Sequence, residues 1–435
     1  MGRSLFCLLA LFLLVFRAGE IEAGEVDFSI PEAEKKPYEL GGRVEVRYLQ
    51  HGLNSDSALY KLNYYKDEPG AYTQEWRTLA EIRGSYRLGM LQANLLTHHE
   101  FVQAYGDEEW INEIYEAYVS LTPSANFTVE AGKKAILWGK GYAWNPAGFV
   151  NRPKDPDDPE VNLEGRNLIG ADVIKSFPTG ALGNLGLTAL LLPVFGDWSN
   201  AERSQSGDFN YALKLYLLWK DTDLDFIYLG GPNQPNSYGF DFAKNLAENF
   251  EVHGELAFLR DVQRVVLNNA GEAAISREDR FSYLLGLRYL NAHDTTFIAE
   301  YYHNGAGYDR SEVRDFFSFQ DQAYQQWLST GSPMVMKRAA GLAQPYFQQR
   351  NFGRDYLYLK ITQKEPFDIL YFNPWVAVIL NLQDWSYNLQ PGMTYAPVTN
   401  LELSFRVNIP IGPAGTEFGE KLDALRPEVR VSYYF

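Results

Sequence analysis

The side chains able to do covalent or metal chemistry are few and scattered. The chain carries 6 His and 1 Cys in 435 residues. The histidines stand at positions 51, 98, 99, 253, 293 and 303. His98-His99-Glu100 lacks the i, i+4 pair by which a zincin helix presents two imidazoles to zinc. In an extended segment, adjacent histidines point to opposite faces. No GxSxG nucleophile elbow occurs. Gly139-Lys140-Gly141 lacks the GxxxxGK[ST] frame of a phosphate loop, and no helix signal follows it. Cys7, the single cysteine, falls in an N-terminal apolar run, so the remainder has no thiolate metal site and no disulfide. The sequence therefore predicts no catalytic set, no cofactor and no metal site, and the chain is not expected to be an enzyme.

The polar residues that do recur in a pattern are Arg and Glu at every second position. Arg43, Glu45 and Arg47 alternate with Val44, Val46 and Tyr48. Glu75, Arg77, Glu81, Arg83 and Arg87 fall opposite Trp76, Thr78, Ala80, Ile82 and Tyr86. Period-2 alternation places each set on one face of a strand. The chemistry open to such a face is electrostatic. If it lines a passage, it orients polar solutes and filters ions. If it does not, neighbouring Arg and Glu pair across strands and stiffen a wall.

Runs of this kind recur along the chain, at 42–50, 74–88, 91–101, 111–121, 127–136, 170–177, 183–195, 208–219, 224–230, 238–246, 250–262, 281–290, 295–303, 355–362, 368–382, 385–396, 401–409 and 427–435. They number 18, or 16 if one hairpin is miscounted. Connections after even-numbered runs are short and rich in turn residues, as in Lys220-Asp221-Thr222-Asp223 and Ala247-Glu248-Asn249. Those after odd-numbered runs are mostly long: 51–72, 137–169, 196–207, 263–280, 304–354 and 410–426. This rhythm predicts an all-β chain: a single antiparallel transmembrane β-barrel with short periplasmic turns and long extracellular loops. The short connection near Asp384 and the poor alternation over 368–382 fit it least well. At that strand number the interior is too wide for side chains to fill.

Composition agrees. A net charge of −16 excludes nucleic acid as a natural partner. No apolar stretch after the N-terminus reaches the length of a membrane helix, yet aromatic residues make up 15% of the chain, as interfacial girdles require. At the N-terminus, Arg3 precedes an apolar run over 4–16, and a cleavage site follows Ala23. Residues 1–23 read as a secretory signal peptide and 24–435 as the barrel domain.

In the predicted register, strands at the closing seam turn Glu402, Arg406, Arg430, Arg43, Glu45, Arg47, Glu75, Arg77, Glu81, Arg83 and Arg87 inward. Glu251, His253 and Glu255, with Asp225 nearby, lie on the far side. A basic wall facing an acidic one sets a transverse field across the lumen. The connection 137–169 is the second candidate. Trp138, Lys140, Tyr142 and Trp144 sit among glycines, and Asp155, Asp157, Asp158 and Glu160 among prolines. Such a segment can fold inward as a constriction whose rings offer stacking faces, or stay outside as a stiff loop with solvated carboxylates. In the longest connection, 309–331 reads as a helix. Asp309 and Glu312 form its capping box, Val313, Phe316, Phe317, Gln320, Tyr324, Trp327 and Leu328 its apolar face, and Gly331 its stop.

The last residues alternate again, with Val429, Val431, Tyr433 and Phe435 opposite Arg430 and Ser432. This resembles the C-terminal signal strand of Gram-negative outer-membrane barrels, and implies that Val431, Tyr433 and Phe435 are read by the barrel-assembly machinery. The architecture resembles the 18-stranded barrels that include substrate-specific porins and alginate-export-type channels. Trp138-Gly139, Asn145-Pro146 and Arg152 loosely resemble a porin-like family. The resemblance implies the cell outer membrane, contact with its lipid and lipopolysaccharide, and passage of small polar or anionic solutes, and it admits a homo-oligomer. Two alternatives stay open: an export channel for an anionic polysaccharide, and a non-conducting surface-loop adhesin or structural barrel.

Overall fold

A computed structural model describes residues 36–66, 69–195, 206–268, 270–347 and 351–435. The expected signal segment lies outside them. From Tyr38 to Phe435 the chain forms one unit built on eighteen strands. These are β1 (Tyr38–Leu53), β2 (Tyr72–Leu88), β3 (Leu91–Ala104), β4 (Asp107–Ser124), β5 (Phe127–Lys134), β6 (Arg166–Ser176), β7 (Leu182–Pro193), β8 (Phe209–Trp219) and β9 (Thr222–Gly230). They continue as β10 (Ser237–Ala247), β11 (Phe250–Leu267), β12 (Ala273–Leu290), β13 (Thr295–His303), β14 (Asp355–Gln363), β15 (Phe372–Asn381), β16 (Tyr387–Val398), β17 (Leu401–Ile411) and β18 (Asp423–Tyr434). Each pairs antiparallel with its neighbours in sequence, and β1 pairs with β18 to close the ring. The count is eighteen, so the sixteen-stranded alternative is set aside.

The seam is tight. Gly42 donates to the carbonyl of Phe435 at 2.9 Å, and Phe435 donates back at 3.1 Å. One end of the barrel has two-residue turns at Gly89-Met90, Ala125-Asn126, Asp221-adjacent Lys220, Glu248-Asn249 and Thr399-Asn400. The other end carries the long loops 135–165 and 304–354, but Tyr105-Gly106 and 382–386 are short exceptions there. A further departure is 263–280, expected as a loop. It is strand instead, because β11 and β12 run on to a connection at 268–272. A bulge between Leu259 and Val262, with Asp261 at φ 51, shifts the alternation by one step and hides the continuation.

The faces are inverted relative to a water-soluble protein. Large apolar side chains such as Trp76, Ile82, Leu187, Leu213, Phe226, Phe258, Leu285 and Val429 are exposed outward. Charged residues on the same strands, among them Glu45, Glu81, Asp225, His253, Glu255 and Arg406, are buried inside. An apolar belt outside a polar interior suits lipid. No helix among the described residues is long and apolar enough to cross a membrane.

The expectation of a polar inner face needs correction on two sectors. Leu168, Leu190, Leu192, Ala212, Ile227 and Leu229 turn inward from β6 to β9 and pack on Trp138, Ala147 and Val150. Leu284, Tyr356, Tyr358, Ala377 and Ile379 turn inward from β12 to β15 and pack on Ala143 and Trp144. These strands are apolar on both faces, one toward lipid and one toward a loop. The weak alternation over 368–382 has this cause.

Three helices cap the long-loop end: α1 (Ala58–Tyr64), α2 (Arg310–Thr330) and α3 (Pro333–Phe347). They share a core of Leu62, Leu267, Tyr308, Val313, Phe316, Phe317, Ala323 and Met336. The capping box predicted at Asp309 and Glu312 is formed, and Gly331 ends α2 at φ 65. Leu328 is exposed, however, while Phe319 and Ala323 are buried. Neighbours on both sides widen the buried stripe of α2 beyond a single face.

Burial raises the Asp309 carboxyl, but hydrogen bonds from Ser311 and the Glu312 N–H outweigh it and hold the group below the usual carboxylate range. A depressed folded value means that this stabilisation is present above the ordinary carboxylate pKa and lost as pH falls through the lowered one. Asp309→Ala should therefore cost the cap about 1 kcal/mol at neutral pH and nothing at strongly acidic pH. Hydrogen exchange at 311–316, measured against pH, reads the difference.

Candidate functional site: a loop across the lumen

The loop between β5 and β6 runs inside the barrel and binds both walls. Its first half carries cations and free N–H groups and meets the acidic side. Glu255 of β11, 1% exposed, accepts from the N–H groups of Lys140 (2.6 Å), Gly141 (2.7 Å) and Ala147 (2.9 Å), and from Asn145 Nδ2 (2.9 Å). Glu300 of β13, fully buried, accepts from the N–H groups of Tyr142 (2.5 Å) and Ala143 (2.8 Å), and lies 2.9 Å from His253 Nε2. Lys140 Nζ reaches Asp225 at 3.1 Å and Asp241 at 3.8 Å. Lys154 Nζ donates to the carbonyls of Gly141 and Tyr142, and burial pushes its ammonium below the ordinary value.

Glycine is required at this turn. Gly139 has φ 94, and a Cβ there would stand 2.7 Å from Glu255 Oε1. A Cβ on Gly141 would run into the carbonyl oxygen of Trp144. Glycine at these two positions lets the turn bring the neighbouring N–H groups onto the carboxylate without a clash.

The second half of the loop meets the basic side. Asp158 binds Arg406 Nη1 at 3.3 Å and Arg430 Nη2 closely. The Asp157 carboxylate accepts from Asn388 (3.0 Å) and Gln390 (2.6 Å), and its carbonyl accepts from Arg406 (2.7 Å). Glu160 lies 3.5 Å from Lys360, and Asn162 donates to Glu81 at 2.9 Å. The loop is thus a strut whose charge pattern is the reverse of each wall it touches.

Most residues expected inside are there, but few are bare. Arg43 pairs with Glu81 at 2.8 Å, Arg47 with Glu45 at 2.6 Å, and Arg77 with Glu75 and Glu100. His253 lies 3.4 Å from Glu251, and the Tyr142 hydroxyl lies 3.4 Å from the same carboxylate. Arg87 donates to Gln92 at 2.6 Å. Arg83 has no ion-pair partner among the described residues and lines a cavity of about 880 Å³. Glu402 lines a second cavity, of about 260 Å³. The simple picture of one bare basic wall opposite one bare acidic wall is corrected: the loop and the walls neutralise much of each other. Trp138 and Trp144 do not offer open stacking faces. They are 6% and 8% exposed, and Trp144 stacks on Tyr302 at 5.1 Å. Within the acidic run, Asp158 and the Asp157 carbonyl lie on arginines, whereas Glu160 stays exposed to solvent. Among the described residues no group of His, Cys, Asp and Glu is arranged to hold a metal ion.

Sequence reasoning missed Glu300, Asp241 and Glu428. Glu428, 1% exposed, joins Arg406 (2.8 Å), Arg430 and Arg47 (3.7 Å). It shares the parity of Arg430 and was legible on that ground. Glu300 stands alone among apolar neighbours in Ile298-Ala299-Glu300-Tyr301, and an inward carboxylate there was the available signal.

Replacing Glu255 with Ala should free four donors at once and cost about 3 kcal/mol or more. Trypsin would then cut at Lys140 or Lys154 in the folded barrel, whereas the wild type resists. Equal resistance would show that the carboxylate does not hold the loop.

No protein-family model and no curated protein matches the chain. Solved structures do match in fold. Pseudomonas aeruginosa OpdQ aligns at TM-score 0.51 and 11% identity, covering 92% of this chain and 99% of that one. Acinetobacter baumannii OccAB2 aligns at 0.54 and 10%, covering 92% and 98%. Pseudomonas aeruginosa OccK7 (OpdD) aligns at 0.52 and 11%, covering 92% and 98%. At such identities the likeness is one of fold: this chain is an 18-stranded barrel similar to theirs.

Proposed function

We propose that this protein is a channel of the Gram-negative outer membrane that lets small polar or anionic solutes pass through a charged, constricted lumen. One observation carries the reading: a closed barrel with an apolar exterior has its polar interior crossed, not filled, by a loop held at both ends. A packed structural barrel of this width would need far more interior mass. The cavity of about 880 Å³ beside Arg43, Glu81, Arg83, Asn94, Glu116 and Asn162 suits small solutes. The likeness to OpdQ and OccAB2 extends over nearly the whole chain and supports the same reading. A loop spanning the lumen is a poor companion for polymer export, since a threading chain must pass it. Val431, Tyr433 and Phe435 would serve as the strand offered to the assembly machinery, and the geometry of Phe435 on Gly42 supports that role.

Planar-bilayer recording of the purified barrel tests the reading. Discrete conductance steps are expected. Arg83→Glu removes no ion pair and should move the reversal potential in a KCl gradient toward cation preference. No conductance in the wild type would leave the adhesin alternative standing. An unchanged reversal potential would take the Arg83 cavity out of the pathway.

A further inference from the structure

The upper half of β4 has a strand beside it on one side only. β4 runs from Asp107 to Ser124, but β5 ends at Lys134 and pairs with it only over 117–124. Above that point β3 goes on pairing with β4 as far as the turn at Tyr105-Gly106. The opposite edge meets one backbone donor, the N–H of Gly165, at the Tyr115 carbonyl. The Ala135 N–H goes to the Glu116 side chain, at 2.9 Å. Over 107–114 no strand lies against that edge among the described residues, and every residue there except Ile111 is exposed. Tyr105 and Gly106 have φ 33 and 91, as in a two-residue hairpin whose flanking pair, Ala104 and Asp107, bond to each other. Backbone direction alternates from that pair. Glu108, Trp110, Asn112 and Ile114 therefore turn their N–H and C=O groups to the open side. Such a row is a template for another strand. Hydrocarbon does not tolerate it, so this edge belongs in water, beyond the apolar belt.

Charge says which strand would fit. Asp107, Glu108, Glu109 and Glu113 lie on the open segment, and no basic residue does. The cations at its foot are engaged: Lys133 and Arg152 pair with Glu164, and Lys134 pairs with Glu130. A second copy offering the same edge would set carboxylates against carboxylates, which is unfavourable across strands. A strand with Lys or Arg at alternate positions would set cations against Glu109 and Glu113, which share a face. On the other face Trp110 and Ile114 offer apolar positions, and Trp110 packs on Phe101 with ring centroids 4.6 Å apart.

We propose that the open edge of β4 over 107–114 is a docking site for an extended cationic segment of another protein, added to the wall as a further strand. Main-chain bonds to Glu108, Trp110, Asn112 and Ile114 supply the affinity, and Glu109 and Glu113 supply the choice of charge. The site goes beyond the channel reading and does not depend on conduction through the lumen.

The test uses the whole barrel in phosphatidylcholine discs and a short, fluorescent, acetylated peptide alternating Lys and Val. Its anisotropy should rise with the barrel and not with empty discs. The same peptide N-methylated at every residue keeps its charge and loses its N–H donors, and it should bind about tenfold or more weaker. Asn112→Pro removes an N–H on the open side and no bond of the β3–β4 ladder, which is where an edge strand accepts proline. It should weaken binding of the unmethylated peptide about tenfold. Glu109→Lys with Glu113→Lys should also weaken it about tenfold, since two attractive cross-strand pairs become repulsive. Equal binding of the methylated peptide to the wild-type barrel overturns strand addition, and that comparison needs no variant. Undiminished binding to both variants places the peptide elsewhere and overturns the proposal as well. A wild-type barrel that is dimeric, and monomeric with Asn112→Pro, assigns the edge to a second copy and likewise overturns it.

Discussion

The structure depends on two carboxylates buried in a barrel wall. A strand residue that faces a wide lumen has water available, and Glu255 and Glu300 give that water up. Desolvating a carboxylate costs several kcal/mol unless donors replace the water. Here the donors are main-chain N–H groups of a turn that only glycine can form. The requirement is mutual. The turn has no regular hydrogen-bonding partner of its own, and the carboxylates have no other donors in such number. Everything else in the loop follows from being fastened there: Trp138 and Trp144 are carried onto apolar sectors of the wall, and the acidic run is carried across to the arginines.

The strands were legible because lipid enforces a rule that the chain cannot evade. Every second side chain must be apolar over the width of the bilayer, and closure needs an even number of strands in a single-chain barrel of this kind. The rule concerns the outer face only. The inner face answers to whatever lies in the lumen, and there the alternation failed. Over Trp375-Val376-Ala377-Val378-Ile379-Leu380 both faces are apolar, because Ala377 and Ile379 belong inside to a buried cluster with Trp144 and Phe418. A run that looked like a flaw in the barrel pattern was the imprint of the loop. α2 was legible from its cap and stop, whereas α1, with 7 residues, is too short to show a periodicity. The loop residues themselves could be singled out, but their partners are more than 100 positions away, as with Gly141 and Glu255. No local pattern carries that information.

The electrostatics also read differently in three dimensions. Counting Arg and Glu along strands suggested a field between opposite walls. Placing the strut between them replaces one long dipole with two short contacts, one at each wall. Short contacts between partly buried charges are screened little by salt, so the internal charge pattern acts mainly on groups that come within contact distance. On the proposed channel reading, selectivity is local and belongs to particular side chains, such as Arg83 in its cavity, more than to the lumen as a whole.

The seam between β1 and β18 has a temporal meaning as well as a spatial one. It unites the first and last strands of the barrel, and its inner face carries Arg47, Glu428 and Arg430. The loop that reaches this face is rooted in β5 and β6, which are synthesised long before β18. A barrel that closed with the loop outside would shut it away from both of its landing sites. Folding of the strut inward and pairing of β1 with β18 are therefore steps of one ordered event, in which the interior must be furnished before the wall is complete.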